Sequence, residues 1–214
     1  MDLALYGVEF SPFTMRIAMQ LDAKELAYRL EPPPGGLASA EYGALNPIRK
    51  LPTLTVDGVA LNESEVIAEF LEEAFREKPL RPDDLIERGR MRLLARVADL
   101  YVMNPMLRIF PHLDPARRND AVVGEALDAV EQGLGWLDGL IAPGPYALGG
   151  TLSVADCAAV PILHFASRFP PMFGRADPVA QRQTLSAYLK AVRQDPAAAR
   201  TWSRIDEALT ARGR

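Results

Sequence analysis

The chain has 214 residues, 24 basic and 28 acidic, with a net charge of −4 and 49% hydrophobic residues. That length holds one large or two small domains, and the slightly acidic balance lacks the basic surplus of a nucleic-acid binder. No run reaches about 18 apolar residues, and MDLALYGVEF has no charged start before an apolar core, so neither a membrane span nor a signal peptide is expected and a cytoplasmic protein is. The single cysteine, Cys157, excludes an intramolecular disulfide and a multi-cysteine metal site. His112 and His164 have no partners at ligand spacing, and no metal is expected.

Residues 2–8 read as a buried first strand. Phe10-Ser11-Pro12-Phe13 then opens an amphipathic helix to about Ala23, with Met15, Ala18, Met19 and Leu21 toward the core. Serine before proline at a helix start is an N-cap followed by a good first position. Tyr28–Glu31 reads as a second strand, Pro32–Gly36 as a loop and Ser39–Leu45 as a short helix. Asn46-Pro47 signals a turn, followed by the β-rich run Leu51–Val56, the hairpin pair Asp57-Gly58 and a brief return strand, Val59–Leu61. Pro52 opens its strand, where a missing N–H is tolerated, or stands in a cis bond. Asn62-Glu63-Ser64-Glu65 starts a helix that places Val66, Ile67, Phe70, Leu71 and Ala74 at helical spacing, with Asn62 or Ser64 as cap.

Pro79 and Pro82 among charges mark a linker, and the remainder is helical by pattern: Asp84–Tyr101, kinked or ended by Pro105, then Pro115–Ile141, Cys157–Phe165, Pro178–Arg193 and Pro196–Ala211. Ser153 with Asp156 three residues on is a capping arrangement ahead of the Cys157 helix. Cys157 reads as a buried structural cysteine rather than a nucleophile. The division is therefore an α/β domain over 1–76, a linker over 77–86 and an all-α domain over 87–214.

The ordered set Ser11-Pro12-Phe13 with Arg16, then Asn46-Pro47, Lys50-Leu51-Pro52, the hairpin and Glu63-Ser64, resembles the glutathione-binding half of the glutathione S-transferase superfamily, in its serine-type, tau-like or bacterial form. Gly149 to Asp156 resembles the motif opening the central helix of that superfamily's C-terminal domain. The resemblance implies an N-terminal thioredoxin-like domain and a C-terminal helical transferase domain. It implies a cis Pro52, a Leu51 backbone that pairs with the cysteinyl part of glutathione, and a Glu63-Ser64 pair at a helix N-terminus that holds the γ-glutamyl end. Leu37 stands near the place where tau-type relatives carry a lysine for the glycyl carboxylate; Lys50 or Arg49 could compensate.

The same resemblance assigns the thiolate-stabilising hydroxyl to Ser11, with Tyr6 and Thr14 as rivals. A thiol of pKa about 8.5 is only a few per cent ionised at neutral pH, so a hydroxyl donor and a helix N-terminus are what conjugation needs. An apolar electrophile would lie in a cleft between the domains, against Phe10, Phe13, Tyr101, Met106 and Phe110, with Met103 and Leu107 nearby. Glutathione enters as co-substrate, and no further cofactor is expected. A glutathione-dependent isomerase, peroxidase or lyase, and a binding module without turnover, stay open beside conjugation. The resemblance also implies a homodimer, with Arg88, Arg92 and Arg96 facing Glu65, Glu69, Glu72 or Glu73 across the two-fold.

Overall fold

The computed structural model describes residues 1–212. A four-stranded mixed sheet has the order β2-β1-β3-β4, with β1 Leu3–Tyr6, β2 Arg29–Glu31, β3 Thr53–Val56 and β4 Val59–Asn62. β1 and β2 are parallel, joined through α1 (Pro12–Ala23), whereas β3 lies antiparallel to β1 and to β4. The short helix α2 (Ala40–Leu45) precedes β3, and α3 (Ser64–Ala74) follows β4. The β-α-β-α-β-β-α order expected from the sequence is the one observed.

The chain divides into two compact units. One comprises Met1–Arg81 and the stretch that begins at Asp195; the other is Pro82–Gln194. The last helix, α9 (Pro196–Arg212), therefore leaves the helical domain to which the sequence assigns it and packs on α1. Ala197, Ala198, Thr201 and Ile205 of α9 are buried, and charges add to the attachment. Arg204 pairs with Glu9 at 2.9 Å and takes the Tyr28 hydroxyl at 3.0 Å, while Arg200 and Arg204 approach the Asp22 carboxylate at 3.5 and 3.8 Å.

Helix α3 corrects a sequence expectation. Its buried residues are Ser64, Ile67, Ala68, Leu71 and Glu72, while Val66, placed by periodicity on the inner face, is 55% exposed. Two polar side chains face inward because partners on α1 meet them. Lys24 Nζ lies 2.9 Å from Glu72 Oε1, and this ion pair is almost wholly out of water. Gln20 donates to the same oxygen at 3.0 Å, and the Leu80 amide donates to Glu72 Oε2 at 2.8 Å. Lys24 also donates to the Lys78 carbonyl at 2.8 Å, so the chain after α3 is tied to α1. Glu72 is thus committed inside the unit, Glu69 pairs with Arg81, and Arg88 pairs with Asp83. Of the acidic residues expected across a two-fold, Glu72 is therefore not available.

The second unit contains α4 (Leu85–Val97), α5 (Asn104–Leu107), α6 (Asp120–Leu140), α7 (Val154–Arg168) and α8 (Gln183–Val192). Between α4 and α5 the chain runs as π-helical turns over Ala98–Met103. Pro105 has no N–H for the carbonyl of Tyr101, four residues earlier, so the α pattern is broken at that point. That carbonyl packs against Gly133 of α6, where an added Cβ would stand 1.9 Å from the oxygen. At the head of α7, the buried Asp156 accepts from the Ser153 amide and hydroxyl, both at 2.8 Å, from the Ala147 amide at 2.7 Å and from the Tyr188 hydroxyl at 3.0 Å. Burial raises the Asp156 pKa, against the pull of these four donors. Cys157 is fully buried beside it, as a structural cysteine. Among the described residues no helix is long and apolar enough to cross a membrane.

Candidate active site

Strand register assembles the site. Tyr6 lies opposite Thr53, and Thr53 lies opposite Asn62. Tyr6 ends β1 and leads to Ser11; Thr53 follows Leu51-Pro52; Asn62 precedes Glu63-Ser64. Three segments far apart in sequence therefore leave the sheet at one end, all within the first unit.

Ser11 is the N-cap of α1, half-buried, and its Oγ accepts from the Thr14 amide at 3.3 Å. The hydroxyl keeps its own proton for a second partner, so capping and donation to a ligand are compatible. Thr14, a rival for the sulfur, is fully buried; its hydroxyl has no hydrogen-bond partner among the described residues and packs against Gly7. Tyr6 is half-buried at the end of β1.

The Leu51-Pro52 bond is cis. Among the described residues, the backbone bonds of turns and loops include none to the N–H or C=O of Leu51. The turn ahead of it is fixed from inside by Asn46, 2% exposed. Its side-chain amide donates to the Lys50 carbonyl at 2.7 Å and to Thr53 Oγ1 at 3.0 Å, and its oxygen accepts from the Ile48 and Arg49 amides. Tyr42 donates to the same Lys50 carbonyl at 2.6 Å, and Thr53 donates to Asn62 Oδ1 at 2.8 Å. Asn62 therefore belongs to this network and does not cap α3. The Asn46-Pro47 signal gave the turn, but a side chain that satisfies both flanks of it leaves no periodic trace.

Glu63 occupies the N-cap position of α3 with φ 68° and ψ 118°, and its side chain makes no capping hydrogen bond. A left-handed φ in a non-glycine residue costs about 1–3 kcal/mol and persists where the surroundings impose it. Ser64 is the first helical residue rather than the cap, 8% exposed, and its Oγ accepts from Arg16 Nη1 at 3.2 Å. A helix start that its N-cap side chain does not close, with the positive end of the dipole, suits an anion.

The two cations near the glycyl place differ. Arg49 donates to the carbonyls of Leu37 and Ser39 and packs over Gly43, whereas no hydrogen bond or ion pair is made by the exposed Lys50 ammonium among the described residues. Phe10 and Phe13 are half-buried, with Arg212 Cζ 3.8 Å from the Phe10 centroid and Arg16 Cζ 5.5 Å from that of Phe13. In the second unit Tyr101 is 45% exposed and stands edge-on to Trp136 at 5.0 Å. Phe110 packs on Phe165 and Phe169. Met106 is fully buried, so its side chain is part of that unit's core.

An α/β unit with a cis-proline turn, joined to a helical unit, is the glutathione transferase architecture. The crystal structure of a glutathione S-transferase from Methylobacterium radiotolerans, in complex with glutathione sulfonate, matches with a TM-score of 0.80 at 24% identity over 94% of each chain. Family models for the glutathione S-transferase N-terminal and C-terminal domains match residues 5–79 and 108–191. The chain is 32% identical over 161 residues to a probable maleylacetoacetate isomerase of Caenorhabditis elegans, covering 72% of this chain and 73% of that one. It is 34% identical over 104 residues to glutathione S-transferase U6 of Arabidopsis thaliana, covering 48% and 47%. The chain belongs to the glutathione S-transferase superfamily.

Proposed function

We propose that the protein is a glutathione transferase that conjugates glutathione to an apolar electrophile. The observation that carries this reading is the convergence, at one end of the sheet, of the Ser11 hydroxyl, the unpaired Leu51 backbone beside cis Pro52, and the start of α3 at Glu63-Ser64. The cysteinyl part of glutathione pairs with Leu51 as an added strand. The γ-glutamyl carboxylate sits at the α3 amides beside Ser64, and Lys50 meets the glycyl carboxylate. Ser11 donates to the sulfur and, with the α1 N-terminus, favours the thiolate; a shift of two pKa units corresponds to about 2.7 kcal/mol. Phe10 and Phe13 offer the apolar surface for the electrophile in this unit. Glutathione is co-substrate, and the mechanism invokes no other cofactor or metal.

The reading extends to a cytoplasmic homodimer. Glutathione is kept as the thiol in a reducing compartment, and Leu85, Ile86 and Leu93 of α4 are 75%, 72% and 48% exposed, an apolar face that a second copy would cover. A second reading rests on the isomerase-named relatives, whose similarity spans both halves of the chain. There the thiolate adds to a conjugated double bond, the resulting single bond rotates, and elimination returns the thiolate unchanged. Calorimetric binding of glutathione, followed by assays with aryl halide, epoxide and cis-enedione substrates, separates the two. A conjugate that retains the sulfur supports transfer, and isomerised product with no net loss of glutathione supports the second. Failure to bind glutathione at millimolar concentration overturns both.

A further inference from the structure

An arginine lies inside the first unit between two helix starts. Arg16 stands five residues after Ser11 on α1, is 2% exposed, and is the bulkiest fully buried side chain among the described residues. A guanidinium stays charged and has only donors. At 3.2 Å, therefore, Arg16 Nη1 donates and Ser64 Oγ accepts. A hydroxyl has one proton, and accepting from a cation leaves that proton to be given elsewhere. Ser64 opens α3 at its first turn. With its oxygen held by Arg16, its O–H is oriented outward from the cation and polarised by it.

We propose that Arg16 is a positioning residue that fixes the Ser64 hydroxyl as a donor to the α-carboxylate of the γ-glutamyl group. This rests on the glutathione site proposed above and adds to it the reason an arginine is buried there. Without the guanidinium the hydroxyl rotates among its staggered positions and is no longer committed to the ligand.

A double-variant cycle tests it. Glutathione and γ-aminobutyryl-cysteinyl-glycine, the same tripeptide without the α-carboxylate, are titrated calorimetrically into wild type, Arg16→Gln, Ser64→Ala and the double variant. Arg16→Gln should weaken glutathione binding on the order of tenfold when Ser64 is present, and less than about threefold when it is alanine. Binding of the carboxylate-free peptide should change by less than about twofold in either background. An equal loss in both backgrounds, or an equal loss for both peptides, would mean that Arg16 only holds the helices together, and the proposal falls. An unchanged glutathione affinity in Ser64→Ala also overturns it. If wild type binds neither peptide, the glutathione site itself is wrong and takes the proposal with it. Should Arg16→Gln fail to fold, Arg16→Lys enters the cycle under the same expectation, because lysine keeps the charge but not the planar fork.

Discussion

Ser11 faces two ways through one oxygen. It accepts the Thr14 amide at 3.3 Å, and its proton is left for a sulfur. Ser11→Ala should therefore raise the pKa of bound glutathione and lower kcat about 10- to 1,000-fold, with the dissociation constant nearly unchanged. The lost cap should also cost about 1 kcal/mol in urea unfolding. Thiolate absorbance titrated with pH checks the first point: coincident midpoints for wild type and Ser11→Ala, with Tyr6→Phe shifted instead, would transfer the role to Tyr6. Ser64→Ala should weaken glutathione about tenfold, because a charge-assisted donor is removed. Ser11, Leu51-Pro52 and Glu63-Ser64 were legible in the sequence because each is a local break in pattern: a cap, a strand-opening proline, a helix start. Arg16 was legible only as part of a resemblance. Nothing local shows that a cation among Met15, Ile17 and Met19 turns inward, since its partner is 48 residues away.

At the scale of elements, the same limit appears in α3. Hydrophobic spacing predicts Val66 inside and Glu72 outside, and the reverse holds because Gln20 of α1 and Lys24 at its C-cap meet Glu72. Lys24→Met should leave that carboxylate buried without its cation and cost about 3–5 kcal/mol, read from the urea midpoint with an unchanged slope. A loss below about 1 kcal/mol would mean that water reaches Glu72. Gly133→Ala is a sharper case. Its methyl would meet the Tyr101 carbonyl, so α6 or the π-helical segment must shift. The expected cost is about 1–3 kcal/mol, where Gly→Ala in an open helix interior gains up to about 1. Gly135→Ala, where the added methyl meets nothing, is the control. Between α1 and α9, burial raises the Asp22 pKa above 3.8, with Arg200 and Arg204 opposing. Because protonation then favours the folded state, the contribution of Asp22 is fully present below the unfolded value and is lost as pH rises through the folded one. Wild type should therefore gain on Asp22→Asn as pH falls from about 7 to about 3.5, and a constant difference would count against the assignment.

For the molecule as a whole, the order of strands and helices was readable, whereas the unit to which α9 belongs was not. Its helical period is the same in either unit, and the residues that meet it, among them Glu9 and Asp22, lie far away in sequence. Assembly beyond one chain is testable through the exposed apolar face of α4. Sedimentation at micromolar concentration should give a dimer, and Leu93→Glu should shift it toward monomer by at least about tenfold in dissociation constant, since a carboxylate would be desolvated against apolar surface. A monomer for wild type would leave Leu85 and Ile86 simply exposed.

The first unit is written in two pieces, with Pro82–Gln194 between them. On a ribosome the sheet and α1 are complete long before α9 exists, and α9 supplies Arg204 and Arg200 to a surface that has been waiting for them. The N-terminal unit therefore reaches its finished form only after the helical unit has been made. Nascent chains arrested before Asp195 should show Asp22 and Tyr28 open to solvent and α1 easily cut by protease. Chains extended past Arg212 should close that surface in one step.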